Sequence, residues 1–217
     1  MLIKKYFIFA LLLLATLVPA KSESWIIPFN LSNPYNAPGQ TSLGSFVAEA
    51  IRYASDAQIA FISKASIRDK QLEAGEYDEI KLCSYLFYPD DHIAKIMLSG
   101  EEIYKILEEN LMIYPQKNPA FLQVAGIVVY FSYLSPPNQR IKKVLLLPLK
   151  TILEPKEIYT VAVEESLAKG MGGCLMLREK EATYLPITLL ESVKKYLDSG
   201  IIFNNIPLWI QEGKEKP

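Results

Sequence analysis

Histidine and cysteine are almost missing from this chain. Its 217 residues include one histidine, His92, and two cysteines, Cys83 and Cys174. Two-metal hydrolase centres draw on several His and Asp ligands, and zinc sites on sets of Cys and His. No metal centre is therefore expected from the chain itself, and a Ser-His-Asp triad would have to use His92. An excess of one charge is also missing. Lys and Arg number 23 against 24 Asp and Glu, a net charge of −1, which excludes a general nucleic-acid or acidic-membrane binder. There is no G-x-S-x-G, no Walker A loop and no G-x-G-x-x-G after a strand. Internal repeats, heptads and low-complexity tracts are absent too. Half of the chain is hydrophobic and 22% is charged, the composition of a globular domain. The length suits one domain with a full core.

The N-terminus carries a targeting pattern. Lys4 and Lys5 precede an uncharged, nearly all apolar run from Tyr6 to Val18, and Val18-Pro19-Ala20 offers small residues before a cut. This predicts a signal peptide over residues 1–20, cleaved after Ala20. The apolar run is shorter than the ~20 residues that span a bilayer. The expected location is exported, periplasmic or extracellular, with no stable membrane span after cleavage. Export leaves two alternatives for the cysteines: a Cys83–Cys174 disulfide or two buried free thiols.

Residues 21–40 hold Pro28, Pro34, Pro38 and Gly39 and read as an extended lead-in, with Trp25, Ile26, Ile27 and Phe29 packing on the domain. A domain over residues 41–210 follows, then a tail over residues 211–217. Thr41 and Ser42 are N-cap residues for a helix with Leu43, Phe46, Val47, Ala50, Ile51 and Ala54 on one face and Ser45, Glu49 and Arg52 off it. Ala57 to Ile62 suits a strand covered on both faces. A short helix is expected early in Tyr77 to Tyr88, then a strand over Ile93 to Leu98. Ser99 caps a helix whose buried face is Ile103, Ile106, Leu107 and Leu111. Val124 to Tyr133 reads as one strand with a bulge or close approach at Gly126, in a hairpin with Ile141 to Leu147. Glu157 to Val163 is a further strand. Thr188 to Glu191 is a capping box that opens a last helix closed by Gly200. Helices and strands mix without a regular βαβ rhythm, so the expected fold is α+β: one domain with a mixed sheet and flanking helices.

Chemistry has few places to sit. Arg68, after the first interior strand, is either an ordinary surface arginine or the cation of an anion site. Asp90-Asp91-His92 reads as a solvated turn before it reads as a metal or proton-transfer site. Gly170-Met171-Gly172-Gly173 is a turn or a backbone approach to a ligand. Their order along the chain resembles the C-terminal domain of the 5′-nucleotidase family, over roughly residues 41–200. Thr41 to Arg52 resembles the family's opening "plGNlvaDAmr" helix, and Asp56 to Ile62 its "gaDiAlvN" strand, with Gln58 in place of Asp. Ser63 to Arg68 stands at "NgGgiR" and keeps the Ile-Arg end. Ile96 to Ile103 with Leu107-Glu108 resembles "veltGaql…LE". Phe121 to Ile127 resembles "flqvSGl", Arg140-Ile141 "RV" and Tyr159 to Ala162 "YtVa". Gly170 to Gly173 stands at "GGdG".

The resemblance implies a domain that holds the nucleoside part of a nucleotide, with catalysis in a separate two-metal metallophosphatase domain that residues 21–40 are too few to form. The implied substrate-binding residues are Arg68, offering a bidentate fork to an anion, Tyr88, offering a ring, and Asp91. Tyr88-Pro89-Asp90-Asp91 replaces the family's "PFgN", with Asp91 opposite its Asn. Ser63, Lys64 and Ala65 replace the Asn and glycines of the turn before the arginine, and Cys174 replaces the aromatic after "GGdG". No catalytic residue, metal ligand or cofactor is implied. The expected function is substrate recognition related to nucleotide catabolism, non-catalytic alone, with weak nucleotide binding. Alternatives are a split-enzyme subunit completing a separate metallophosphatase chain, and a degenerate protein-interaction module. The implied partners are a nucleotide or nucleoside and that second chain, not nucleic acid.

Overall fold

A computed structural model describes residues 23–213; the expected signal peptide over residues 1–20 lies outside the described residues. The chain opens with β1 (Ser24–Ile27), β2 (Leu31–Ser32), α1 (Ser42–Ser55), β3 (Ile59–Ser63), β4 (Gln71–Leu72), β5 (Gly75–Asp78) and α2 (Glu79–Cys83). Next come β6 (His92–Ser99), α3 (Gly100–Leu111), β7 (Leu122–Ala125), β8 (Ile127–Phe131), β9 (Ile141–Leu146) and β10 (Thr151–Ile152). It ends with β11 (Ile158–Glu164), α4 (Glu165–Ala168), α5 (Leu175–Arg178), β12 (Ala182–Thr188), α6 (Leu189–Asp198) and β13 (Trp209–Gln211). The fold is α+β, as the mixed pattern predicts.

A five-stranded sheet, β12-β6-β11-β3-β7, forms the centre. Only β11 and β3 in it run parallel, with Val161 opposite Ile59 and Val163 opposite Phe61. Both faces of β3 are covered. Ile59 and Phe61 enter one core with α3 and β8, while Ala60 and Ile62 enter another with α1 and α6. The alternation follows from the two-residue period of a strand. The small side chains of Ala60, Ala125 and Ala162 share the second core with Phe46, Ile51 and Tyr196. Phe46 meets Tyr196 edge-on at 5.7 Å and Phe203 at 5.4 Å.

The helix ends follow the sequence. Thr41 accepts the Gly44 N–H at 3.2 Å, and Asp56 closes α1 in the left-handed region with φ 53°. Ser99 with Glu102 and Thr188 with Glu191 complete capping boxes on α3 and α6. Ser45 departs from expectation. It is buried, because the Gln40 amide reaches across to its hydroxyl at 2.9 Å. In the lead-in Trp25 and Ile27 are buried, but Ile26 points outward, because β1 is a strand with only one face covered.

The expected single strand from Val124 to Tyr133 is two strands in two sheets. β7 pairs with β3, whereas β8 belongs to a four-stranded sheet, β10-β9-β8-β13. Gly126 makes the break. Its φ is +80°, and a Cβ there would lie 2.1 Å from the Gln58 carbonyl oxygen, so the backbones meet where only glycine fits. The Ala182–Thr188 strand was not anticipated. It is an edge strand containing Pro186, the position where a sheet tolerates a missing N–H. Gln211 ends β13, so the strand reaches into the expected tail.

Candidate functional site

Because β3 and β11 are parallel, their carboxyl ends share one edge of the central sheet. Open sheets favour ligand sites there. Ser63 ends β3 and Glu164 ends β11. A 3-10 turn, Lys64–Ser66, leads from Ser63 to Arg68; α4 and a second 3-10 turn, Met171–Gly173, follow Glu164. The two turns meet at Gly172, with φ +68°, where a Cβ would stand 3.3 Å from the Ser63 hydroxyl.

Arg68 is exposed and held at its backbone. Its N–H donates to the Tyr85 carbonyl at 2.9 Å, and the Phe87 N–H donates to the Ser66 carbonyl at 2.9 Å. These bonds lay residues 66–68 beside 85–87, with Ile67 bridged to Leu86. The Arg68 Nε–H donates to the Leu86 carbonyl at 3.2 Å, and the guanidinium carbon lies 4.4 Å from the Phe87 ring centre. Phe87, not Tyr88, is therefore the ring under the cation. Tyr88 is 43% exposed, with its ring 6.4 Å from that of Phe87.

Asp91 follows in the same turn, its N–H donating to the Tyr88 carbonyl at 3.2 Å. Its Oδ2 accepts the Ser166 N–H at 3.1 Å, which ties the turn to α4. Arg68 and Tyr88 are thus joined through Phe87, and Asp91 borders them while spending one oxygen on a structural bond. His92 stands outside this group, its Nδ1 3.6 Å from Glu165.

Three residues to which sequence reasoning gave no such role hold the turn. Asn33, fully buried, donates from Nδ2 to the Ile67 carbonyl at 2.8 Å and the Lys64 carbonyl at 3.3 Å. Glu164, 0% exposed, accepts the Ser63 N–H at 3.2 Å and the Ser66 hydroxyl at 2.6 Å through one oxygen. Burial, with a smaller push from Asp91, raises its carboxyl to about 7. Lys64 is buried with its ammonium against the Ala37 and Tyr35 carbonyls, and desolvation lowers its proton affinity. The one available signal was a charged residue directly after the apolar Tyr159 to Val163 run.

Cys174 lies behind the glycine loop. Its thiol is buried and pushed up to about 12 by desolvation, which leaves it unreactive. Cys174 and Cys83 are both free. Among the described residues no three His, Cys, Asp or Glu side chains group as metal ligands. Nor is any described helix long and apolar enough to cross a membrane. A cavity of about 290 Å³ opens elsewhere, between α1, α6 and residues 201–208. Its charged group, Arg52, is already paired to Glu49 at 2.6 Å.

The family model for the 5′-nucleotidase C-terminal domain matches residues 18–179, and the chain belongs to that family. The fold recurs in the 5′-nucleotidase precursor of Thermus thermophilus, at TM-score 0.77 and 19% identity, covering 98% of this chain and 43% of that one. It recurs in the NAD nucleotidase of Haemophilus influenzae, at TM-score 0.74 and 13% identity, covering 96% and 41%. The sulfate thiohydrolase of Thermus thermophilus, in complex with glycerol, gives TM-score 0.69 and 18% identity, covering 97% and 39%. The chain thus spans about two fifths of the length of these structures. No curated protein matches it.

Proposed function

We propose that this domain is an exported nucleotide-recognition module that positions a ligand and leaves hydrolysis to a metallophosphatase unit. The observation that carries this reading is the exposed Arg68 guanidinium, 4.4 Å from the Phe87 ring on the shared edge of β3 and β11. Its Nε–H is spent on the Leu86 carbonyl, which aims the fork while leaving the terminal N–H groups for an oxyanion. Phe87 and Tyr88, each more than two fifths exposed, offer apolar faces for a base beside that anion. Asp91 is the polar group at the border of this surface. The family, and the share of each related structure that the chain spans, support the choice of a metallophosphatase unit as the partner to test.

The test is a binding screen of the purified protein with AMP, UMP and a nucleotide sugar, read by thermal shift and calorimetry. Binding that weakens in Arg68→Ala supports the reading. The absence of both a shift and heat for all three overturns the ligand assignment. Co-purification with a metallophosphatase chain, and metal-dependent nucleotidase activity only in the mixture, supports the second half of the proposal. A monomer that activates no such chain counts against it.

A further inference from the structure

The cavity of about 290 Å³ shares no residue with the Arg68 surface. Gly126 and Leu147 wall it from the break between the two sheets, and α1 and α6 wall it from the side. Residues 201–208, which join α6 to β13, close it. Gln40 holds this strap, donating from Nε2 to the Ile206 carbonyl at 2.9 Å and accepting the Leu208 N–H at 2.6 Å. Phe203 and Leu208 are buried, but Ile201, Ile202 and Ile206 around the same cavity are 51%, 82% and 37% exposed. Large apolar side chains left in water around one cavity mark a place that an apolar group covers.

The polar end of the cavity narrows the choice of that group. Tyr196 is 3% exposed, its ring held edge-on between Phe46 at 5.7 Å and Tyr53 at 5.6 Å. Its hydroxyl makes no hydrogen bond to a described residue, and desolvation, with the charge of Glu49, pushes the phenol up to about 12. It therefore stands in the cavity wall as a neutral donor. A buried donor without a partner is costly, and a ligand's acceptor oxygen removes that cost. Beside it, Arg52 spends Nε and Nη2 on the two Glu49 oxygens, at 2.9 and 2.6 Å. The pair is neutral as a whole. A carboxylate entering the cavity meets Glu49 and an ammonium meets Arg52, so neither sign of charge is favoured. Of the other polar side chains in the lining, Ser45 accepts the Gln40 amide and Asn204 is exposed.

Size sets the rest. An apolar cavity of about 150 Å³ holds one benzene ring. Twice that volume has room for two fused rings.

We propose that this cavity binds an uncharged, mostly apolar two-ring compound, whose one carbonyl oxygen accepts the Tyr196 hydroxyl and whose rings lie against Leu147, Phe203 and Leu208. This site and the Arg68 surface stand or fall separately.

The probes are 1-indanone, which has the rings and the carbonyl, indane, which lacks the carbonyl, and indane-1-carboxylate, which carries a charge. Each is titrated with the purified protein. Ligand-observed NMR gives the affinity, and methyl shifts of Ile201, Ile206 and Leu208 give the position. 1-Indanone is expected to bind and to shift those methyls. Indane is expected to bind about five-fold more weakly, the factor for one hydrogen bond. Tyr196→Phe keeps the ring packing and should bring 1-indanone down to the affinity of indane, with indane unchanged. Ile206→Trp fills the cavity and should abolish the binding of both. Arg68→Ala should alter neither. Equal affinity of 1-indanone and indane in the wild type overturns the proposal. So does full affinity for 1-indanone in Tyr196→Phe or Ile206→Trp, tighter binding of the carboxylate, or binding that leaves the three methyls unshifted. No binding of either neutral probe at millimolar concentration also overturns it, and leaves the nucleotide reading of Arg68 untouched.

Discussion

Replacing Glu164 by glutamine changes how stability depends on pH, and the size of the change can be worked out. Desolvation is the main reason its carboxyl is raised from 4.5 to about 7; the like charge of Asp91 adds to this, and the bonds from Ser66 and Ser63 oppose it. The folded state therefore holds the proton more tightly than the unfolded chain. The resulting stability is fully present below about pH 4.5, and it is lost as pH rises through about 7. The gap between the two values, at about 1.4 kcal/mol per unit, gives about 3 kcal/mol. Carboxylates such as Glu102, lowered by Lys180, and Glu165, lowered by Lys169, act with the opposite sign and lose their contribution only on acidification. They cancel in the difference between wild type and Glu164→Gln. Urea unfolding of both proteins at constant ionic strength, from about pH 4.5 to about pH 8.5, measures that difference. It should move in favour of the variant by about 3 kcal/mol across the window. A difference flat to within about 0.5 kcal/mol would refute the reasoning, because the carboxylate would then be hydrated in the folded protein.

Other substitutions test neighbouring steps. Gly126→Ala sets a Cβ 2.1 Å from the Gln58 oxygen at φ +80° and should cost about 3 kcal/mol or more in urea unfolding; a loss under about 1 kcal/mol would mean that β7 and β8 separate by another route. Thr41→Ala removes the cap of α1 and a bond to buried Asn33, so a loss near the upper end of the usual range, about 2 kcal/mol, is expected by thermal unfolding. Arg68→Lys keeps the charge but loses the planar fork and its stacking on Phe87. Nucleotide affinity should fall about ten-fold with stability unchanged, and retention of full affinity in calorimetry would show that the planar fork is not used there.

Much of the fold was legible because periodicity and caps act locally. The apolar stripe of α1, the two-sided burial of β3, the Ser99 cap of α3 and the capping box of α6 all depend on residues within four positions of one another. The break at Gly126 was half legible. Close approach was readable from one glycine between apolar residues, but the second sheet depends on Gln58, far away in the chain. β12 was hidden because Pro186 suppresses a strand reading, and only its edge position permits it. Arg68 could be named from order along the chain. Phe87, Asn33 and Glu164 could not, because their roles arise from contacts between segments distant in sequence.

The turn before Arg68 forms without the glycines that stand at this place in the family pattern. Glycine is needed where φ is positive or where another group approaches the backbone. None of residues 63–68 has positive φ; Ser63 stands at −71° and Ile67 at −116°. Serine, lysine and alanine meet no backbone penalty there. The turn is instead bracketed by side chains, Asn33 from the lead-in and Glu164 from β11. Asn33 Oδ1 also accepts the Thr41 hydroxyl at 2.8 Å, and the Gln123 Oε1 accepts the Thr41 N–H at 2.7 Å. The start of α1, the end of β3 and β7 therefore share one buried polar network, whose geometry is specified because each bond constrains the next. A glycine turn leaves its backbone open to a ligand. In the bracketed turn Ser63, Ser66 and Glu164 are buried and Arg68 is exposed, which is why the proposed anion contact falls to the Arg68 side chain.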